Sequence, residues 1–192
     1  MIVRCATTNP GKLREFQAAA TGAIQIETLP GLREISPPEE TGATFEANAA
    51  QKAIYYSRFT DELLFVDDSG LSVDALDGAP GVYSARYAGP DATDEANNRL
   101  VLERMRGAAN RSARFVCVIA LAGRGELIRT FRAEAQGQLL DEPRGPNGFG
   151  YDPLFFYPPF GCSFGEVERE RKQSVSHRGQ ALRALVKYLE QL

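Results

Sequence analysis

The stretch that most constrains the fold is residues 63–71, in which four apolar residues are followed by two adjacent carboxylates and then by Ser69 and Gly70. The apolar run is typical of a buried strand. Because side chains alternate along a strand, Asp67 and Asp68 should point to opposite faces, and only one of them is expected to face a cleft. The pair Ser69-Gly70 predicts a turn, which would place both carboxylates at the strand end. Open α/β sheets bind ligands beyond such ends, although capping or turn aspartates would give the same local pattern.

The composition restricts the class of protein. The chain has 192 residues, of which 43% are hydrophobic and 24% are charged, as in ordinary globular proteins. This length is enough for one domain with a substantial core or for two small lobes, and we expect residues 1–192 to form a single domain. The net charge of -3 gives no general attraction to nucleic acid or to an anionic membrane, and no apolar run reaches the length of a membrane span. Three widely separated cysteines fit neither a disulfide framework nor a zinc site, and they predict reduced thiols in the cytoplasm.

The amino-terminal residues predict a site for an anion. Residues 2–7 should form a buried strand, and a helix should begin soon after it, with Asn9 as its N-cap and Pro10 in its first turn. The free N–H groups and the dipole at a helix start favour phosphate, and Lys12 adds a positive charge there. Residues 7–12 do not form a Walker A loop, because its first glycine is missing. A phosphate site and a well-capped helix both fit this segment.

Two further segments carry charges of opposite sign. Glu39 and Glu40 lie on a loop stiffened by prolines, where they could reach a metal ion or remain a solvated pair. A helix is predicted over residues 44–59, and Lys52 falls in the middle of its apolar face. Such a lysine must extend to solvent, pair with an acid or meet an anion. The sequence leaves these alternatives open.

The middle of the chain predicts a mixed sheet. Residues 71–76 alternate like a return strand, and Thr93 should cap a helix that Gly107 ends and that we interpret as structural. The patterns at residues 113–122 and 127–138 predict a long antiparallel hairpin. The sheet therefore differs from a purely parallel one.

A loop at residues 144–153 combines glycines with aromatic residues and an acid. Phe149 and Tyr151 could offer flat faces to a nucleobase, and the glycines would let the backbone approach it closely. The same aromatic residues could instead pack in the core.

The final helix should be amphipathic, with Ser176 as its N-cap. His177 and Arg178 then lie in its first turn, which is unfavourable for cations unless an anion or acceptor is bound. Together with Lys12 and the acids, these groups describe a site for a nucleotide with several phosphates and a divalent metal.

Six motifs, in order along nearly the whole chain, resemble those of the non-standard purine nucleoside triphosphate pyrophosphatases, also called inosine triphosphate pyrophosphatases or the Ham1-like family. They are Thr7-Thr8-Asn9-Pro10-Gly11-Lys12; Glu39-Glu40-Thr41-Gly42 with Phe45, Asn48, Ala49 and Lys52; Asp67-Asp68-Ser69-Gly70-Leu71; the segment 78–87; Gly148-Phe149-Gly150-Tyr151-Asp152-Pro153; and Lys172 with Ser176-His177-Arg178-Gly179. One position departs from the pattern, because Ala47 stands where the family commonly has Glu, and Glu46 faces another way.

The resemblance implies an α/β fold with an elongated mixed β-sheet, flanking helices and two lobes around a central cleft, assembled as a homodimer. It implies magnesium-dependent hydrolysis of ITP, dITP and XTP to the monophosphate and pyrophosphate. It assigns phosphate contacts to Thr7, Thr8, Asn9, Pro10, Gly11, Lys12 and Lys52, and a further substrate contact to Ser69. It assigns Mg²⁺ to Glu39 and Asp68, with Asp68 also the proton acceptor. It assigns base and sugar contacts to Phe149, Gly150, Tyr151, Asp152, Lys172, His177 and Arg178.

The chemistry agrees with these assignments. Magnesium favours carboxylate and phosphate oxygens, and a carboxylate near a metal-bound water can accept its proton. A 6-oxo purine would accept hydrogen bonds from donors such as Arg178, whereas the amino group of adenine would leave donors facing donors. Two other functions remain open: a regulatory module that binds nucleotides without hydrolysing them, and a pyrophosphatase for pyrimidine triphosphates.

Overall fold

The computed structural model of the protein describes residues 1–20 and 22–192. The strands in this part of the chain are β1 (Ile2–Cys5), β2 (Gln25–Thr28), β3 (Leu64–Val73), β4 (Ser112–Gly123), β5 (Glu126–Leu139), β6 (Phe155–Tyr157) and β7 (Cys162–Ser163). The α-helices are α1 (Pro10–Ala18), α2 (Phe45–Tyr56), α3 (Asp94–Arg104), α4 (Arg169–Val175) and α5 (His177–Leu189). Across the described residues, no helix has both the length and the apolar character needed to cross a membrane.

One mixed sheet contains the seven strands in the order β2-β1-β3-β4-β5-β6-β7. Strand β1 pairs in parallel with both β2 and β3, whereas β6 pairs antiparallel with β5 and with β7. The predicted hairpin is confirmed, because β4 and β5 are joined by only Arg124 and Gly125, whose φ angles of 52° and 83° are both positive. Such a two-residue turn matches the twist of an antiparallel pair.

The central strand β3 is longer than the sequence pattern predicted. It continues through Ser69 and Gly70 to Val73, so the predicted turn and the return strand after it are wrong. Close packing explains the glycine, because a Cβ on Gly70 would lie 2.3 Å from the Oγ of Ser84. That Oγ accepts a hydrogen bond of 2.9 Å from the N–H of Leu71. Gly70 therefore marks a close approach to the strand rather than a turn, and Asp67 and Asp68 lie within the strand.

The chain folds into two compact units. The first unit contains Met1–Asp68, Cys117–Ala133 and Arg178–Leu192, and its core includes Val3, Phe16, Phe65, Ile119, Leu182 and Leu185. The second unit contains Ser69–Val116 and Glu134–His177, and its core includes Val73, Val101, Phe115, Leu154, Phe155 and Phe164. Each unit therefore has its own apolar core. The single domain expected over residues 1–192 stays a prediction.

Candidate functional site

Helix α1 begins in the first unit as the sequence predicted. The Oδ1 of Asn9 accepts hydrogen bonds from the N–H groups of Gly11 at 2.8 Å and Lys12 at 3.1 Å, and Pro10 occupies the first turn. This cap already uses two donors of the helix start, so a phosphate would depend on the helix dipole, the nearby hydroxyl groups and Lys12. Thr7, Thr8 and Pro10 line a cavity of about 420 Å³. The predicted phosphate segment therefore borders open space.

Asp67 lies in the part of β3 that belongs to the first unit, and it pairs with two cations. Its Oδ2 lies 2.9 Å from the Nζ of Lys12 and 3.4 Å from the Nε of Arg178. The Nη1 of Arg178 also donates to Glu15 at 2.5 Å. Burial alone would raise the pKa of Asp67, but Lys12 and Arg178 outweigh it and hold that pKa well below its usual range. Two buried carboxylates and two cations thus balance one another. The predicted contact of Arg178 with a base stays a prediction.

Asp68 has a different set of partners, as expected from the alternation of side chains along a strand. The Nζ of Lys52 lies 2.9 Å from the Oδ1 of Asp68 and 2.7 Å from the Oε1 of Glu40. The Oδ2 of Asp68 is buried and has no hydrogen-bond partner within the described part of the chain. Burial raises the pKa of Asp68, although Lys52 acts in the opposite direction. A buried carboxylate with a free oxygen is equipped to bind a cation or to accept a proton.

The two glutamates of the acidic loop have different environments. Glu40 contacts Lys52, whereas Glu39 is exposed. The N–H of Gly42 donates to the Oδ1 of Asn48 at 2.8 Å, which ties the loop to α2. Glu46 is engaged elsewhere, in an ion pair with Arg132. The structure therefore places Glu40, rather than Glu39, beside the lysine that also holds Asp68.

The residues that the structure describes contain no group of three or more His, Cys, Asp or Glu side chains arranged to hold a metal ion. Magnesium, however, is commonly bound through one or two carboxylates, with water and substrate phosphates as the remaining ligands. Asp68 fits this mode of magnesium binding, because its second carboxylate oxygen is buried without a partner among these residues. A cation, the Lys52 ammonium, already lies between Asp68 and Glu40.

In the second unit, Asp152 organises the aromatic loop. Its Oδ2 accepts hydrogen bonds from the N–H of Phe149 at 2.9 Å and from the Nζ of Lys172 at 2.7 Å. The Lys172 ammonium lies 4.9 Å from the centre of the Phe149 ring, which is close enough for a cation–π interaction. Asp152 and Lys172 are both buried. These two predicted ligand residues therefore hold each other and the half-buried Phe149.

The two aromatic residues of the loop have different environments. Tyr151 is buried in the second core, and its hydroxyl group donates to the carbonyl oxygen of Ser84 at 2.7 Å. For Tyr151 the alternative of a core residue is thus the observed one, while its contact with a substrate stays a prediction. His177 begins α5 and is buried, with its ring stacked on Phe115 at 4.7 Å between ring centres. Ser69 is half-buried.

Comparison with known proteins identifies the family. The model of the Ham1 family matches residues 3–188. The chain belongs to the Ham1 family.

Proteins with similar sequences match nearly the whole chain. A dITP/XTP pyrophosphatase of Exiguobacterium is 50% identical over 181 residues, which are 94% of this chain and 92% of that protein. A dITP/XTP pyrophosphatase of Acidobacterium capsulatum is 47% identical and covers 94% of both chains. The structure of a HAM1 protein from Coxiella burnetii has a TM-score of 0.91 with 37% identity over 100% of both chains. The predicted mixed α/β fold with flanking helices is confirmed as that of the Ham1 structures.

In this member of the Ham1 family, the sequence pattern did not reveal the contacts between α3 and the loop at residues 144–153. The N–H of Gly150 donates to the Oδ2 of Asp94 at 2.7 Å, and the Nδ2 of Asn98 donates to the carbonyl oxygen of Gly150 at 3.0 Å. Helix α3 and the loop also line a cavity of about 830 Å³ in the second unit. The available signal was the spacing of Asp94 and Asn98, four residues apart on a predicted helix, which places both on one face.

Proposed function

We propose that this chain hydrolyses dITP, XTP and ITP to the monophosphate and pyrophosphate. The observation that carries the proposal is the Asp68 carboxylate, which is buried, paired with Lys52 through one oxygen and without a partner on the other among the described residues. The two similar proteins reported above are named dITP/XTP pyrophosphatase, which supports this substrate class. The homodimer and the cytoplasmic location stay predictions from the sequence.

The first unit carries the groups that the phosphate chemistry needs. Phosphoryl transfer depends mainly on positioning and on charge neutralisation. Lys12 and Lys52 supply positive charge, and Asp67 holds Lys12 in place. The free oxygen of Asp68 would accept the proton of the attacking water. That water attacks the α-phosphorus, the bond from this phosphorus to the bridging oxygen breaks, and pyrophosphate leaves.

Magnesium is part of the proposal, with Asp68 and Glu40 as its protein ligands. When bound, Mg²⁺ would neutralise phosphate charge and make a coordinated water more acidic. Glu40 is preferred to Glu39, the residue predicted from the resemblance, because it shares Lys52 with Asp68. Lys52 would then turn from these acids toward the phosphates that accompany the metal.

The second unit carries the loop proposed to contact the base. Phe149 is half-buried and its N–H is fixed by Asp152, so its ring is held in a defined place on which a purine could stack. Donors that face the 6-position would favour hypoxanthine and xanthine over adenine. The assignment of such a donor role to Arg178 remains a proposal from the resemblance.

A substrate panel tests the proposed function. The purified chain is incubated with Mg²⁺ and with dITP, XTP, ITP, dUTP, GTP or ATP, and pyrophosphate release is followed. We expect kcat/KM for dITP and XTP to exceed that for ATP by about 10²-fold or more, since buried donors left facing an amino group are costly. Release from dUTP alone would support the pyrimidine alternative. Binding of dITP without release of pyrophosphate would support the regulatory module.

The two adjacent glutamates provide a matched test of the metal assignment. Glu40→Gln is expected to raise the Mg²⁺ concentration for half-maximal turnover by about tenfold, as when a group at a metal site is lost. Glu39→Gln should raise it by less than about twofold, because this exposed side chain is not held beside Lys52. The measurement is a Mg²⁺ titration of the dITP reaction, with calorimetric binding of Mn²⁺ as a second readout. A larger effect of Glu39→Gln would restore the assignment made from the resemblance.

A further inference from the structure

We propose that Asp94 and Asn98 of helix α3 are positioning residues for nucleobase recognition, and that they act by clamping Gly150. This inference rests on the proposed function, in which the loop around Phe149 contacts the base. It gives a specificity role to a helix that the sequence pattern presented as structural.

The clamp holds both backbone polar groups of a single residue. The N–H of Gly150 donates to Asp94 at 2.7 Å, and its carbonyl oxygen accepts from Asn98 at 3.0 Å. The two side chains lie one helical turn apart, so a single rigid face of α3 supplies both contacts. Thr93 fixes the start of that helix, because its Oγ1 accepts from the N–H of Ala96 at 3.2 Å. Gly150 is thereby tied to a regular element rather than to another loop.

Asn98 is buried although its side-chain amide is only partly satisfied. Asn98 is only 8% exposed, and its Oδ1 has no hydrogen-bond partner within the described residues. A buried amide with an unsatisfied acceptor is unfavourable, and an apolar residue would avoid that cost. Its neighbour Asn97 is satisfied at both ends, by the N–H of Ala88 at 2.8 Å and the carbonyl oxygen of Ala85 at 3.2 Å. For Asn98, by contrast, the contact that explains a buried asparagine is its hydrogen bond to the carbonyl oxygen of Gly150.

A second anchor holds the loop one residue before the clamp. Asp152 accepts from the N–H of Phe149 and also pairs with Lys172. Phe149 is thus held in two ways: Asp152 binds its backbone N–H, and α3 binds the next residue, Gly150. A binding loop that is held in its binding geometry loses less conformational entropy when the ligand arrives. Release of Gly150 should therefore weaken base recognition while Asp68, in the first unit, keeps its own contacts.

The roles of Asp94 as a helix-start acid and as a loop acceptor can be separated. Asp94→Asn and Asp94→Ala both remove the negative charge that favours the first turn of α3. Only Asp94→Asn keeps an oxygen that can accept from the N–H of Gly150. The difference between these two variants therefore reports the clamp. Glu95→Ala, which removes an exposed acid from the same helical turn, controls for general effects on α3.

The experiment measures kcat and KM for dITP and dATP in these variants and in Asn98→Ala. Asp94→Ala and Asn98→Ala should raise KM for dITP by about threefold to tenfold, the range expected for one hydrogen bond, with little change in kcat. They should also lower the preference for dITP over dATP. Asp94→Asn and Glu95→Ala should stay within about twofold of the wild type. Binding of deoxyinosine monophosphate by calorimetry, and hydrogen exchange of residues 148–152, give readouts that do not depend on turnover.

The outcomes separate this inference from the proposed function. A wild-type chain that releases no pyrophosphate from dITP would refute the proposed function and the inference with it. The inference alone would be overturned if the wild type is selective but Asp94→Ala and Asn98→Ala keep its KM for dITP and its preference for dITP over dATP. A lower melting temperature of these two variants would then show that their role is structural. Equal behaviour of Asp94→Asn and Asp94→Ala would also overturn it, because the effect would then come from the charge at the helix start. Asp94 is exposed, so these variants are expected to fold even if Asn98→Ala does not.

Discussion

Asp68→Asn is expected to lower kcat for dITP by about 10²–10⁴-fold, the usual contribution of a general base. Asparagine has the shape of aspartate but cannot accept the proton of the attacking water, and it is a weaker ligand for Mg²⁺. The free Oδ2 of Asp68 is the atom on which this expectation depends. The measurement is pyrophosphate release at saturating dITP and Mg²⁺. Asp61→Asn, which removes an exposed carboxylate in the same unit, is the control and should keep the wild-type rate.

The same variant should be as stable as the wild type or more stable. Burial raises the pKa of Asp68, which means that the folded state disfavours its ionised form relative to the unfolded chain. Above the ordinary pKa of an aspartate, the charged side chain therefore reduces stability, and a neutral side chain of the same shape removes that cost. Loss of activity together with an unchanged or higher Tm is the behaviour of a functional carboxylate. A variant that keeps near wild-type kcat would show that Asp68 is not the base.

Elements whose signals are local were predictable from the sequence. Asn9 and Thr93 cap α1 and α3 as expected. The hairpin of β4 and β5 follows from an apolar run and an alternating segment on either side of a glycine turn. In each case the residues that determine the structure are close together in the chain. The continuation of β3 through Gly70 was not predictable, because its cause is a contact with Ser84, which lies in a different segment. A glycine in a strand and a glycine in a turn look alike until the packing neighbour is known.

The candidate site divides along the same line. Alternation along β3 correctly separated the partners of Asp67 from those of Asp68. The partners themselves were hidden, since Arg178 lies 111 positions from Asp67 in the chain and neither residue type indicates the other. For the same reason the sequence predicted that Arg178, a cation in the first turn of a helix, would need a bound anion or acceptor to be stable there. Its charge is in fact matched by buried carboxylates of the chain itself.

Arg178→Leu is therefore expected to have the largest effect on stability, a loss of about 3–5 kcal/mol in the free energy of unfolding. The substitution removes one partner of a buried network and leaves Glu15 and Asp67 with less positive charge nearby. Uncompensated buried charge is far more costly than the loss of an exposed ion pair. The measurement is urea unfolding near neutral pH. Lys187→Leu, which removes an exposed cation from the last turn of the same helix, is the control and should change stability by less than about 1 kcal/mol.

The loss should shrink as the pH falls, and the sign follows from Asp67. Lys12 and Arg178 lower the pKa of Asp67 against the effect of burial, so its pairing stabilises the wild type above about pH 4, the range of an ordinary aspartate, and that stability fades as the pH falls through the lowered pKa. Without Arg178, Asp67 takes up its proton at a higher pH, which relieves the uncompensated charge in the variant. Both effects bring the two unfolding free energies together in acid. A variant that instead keeps wild-type stability at every pH, and loses only the preference for dITP over dATP, would make Arg178 a reader of the base, as the resemblance implied.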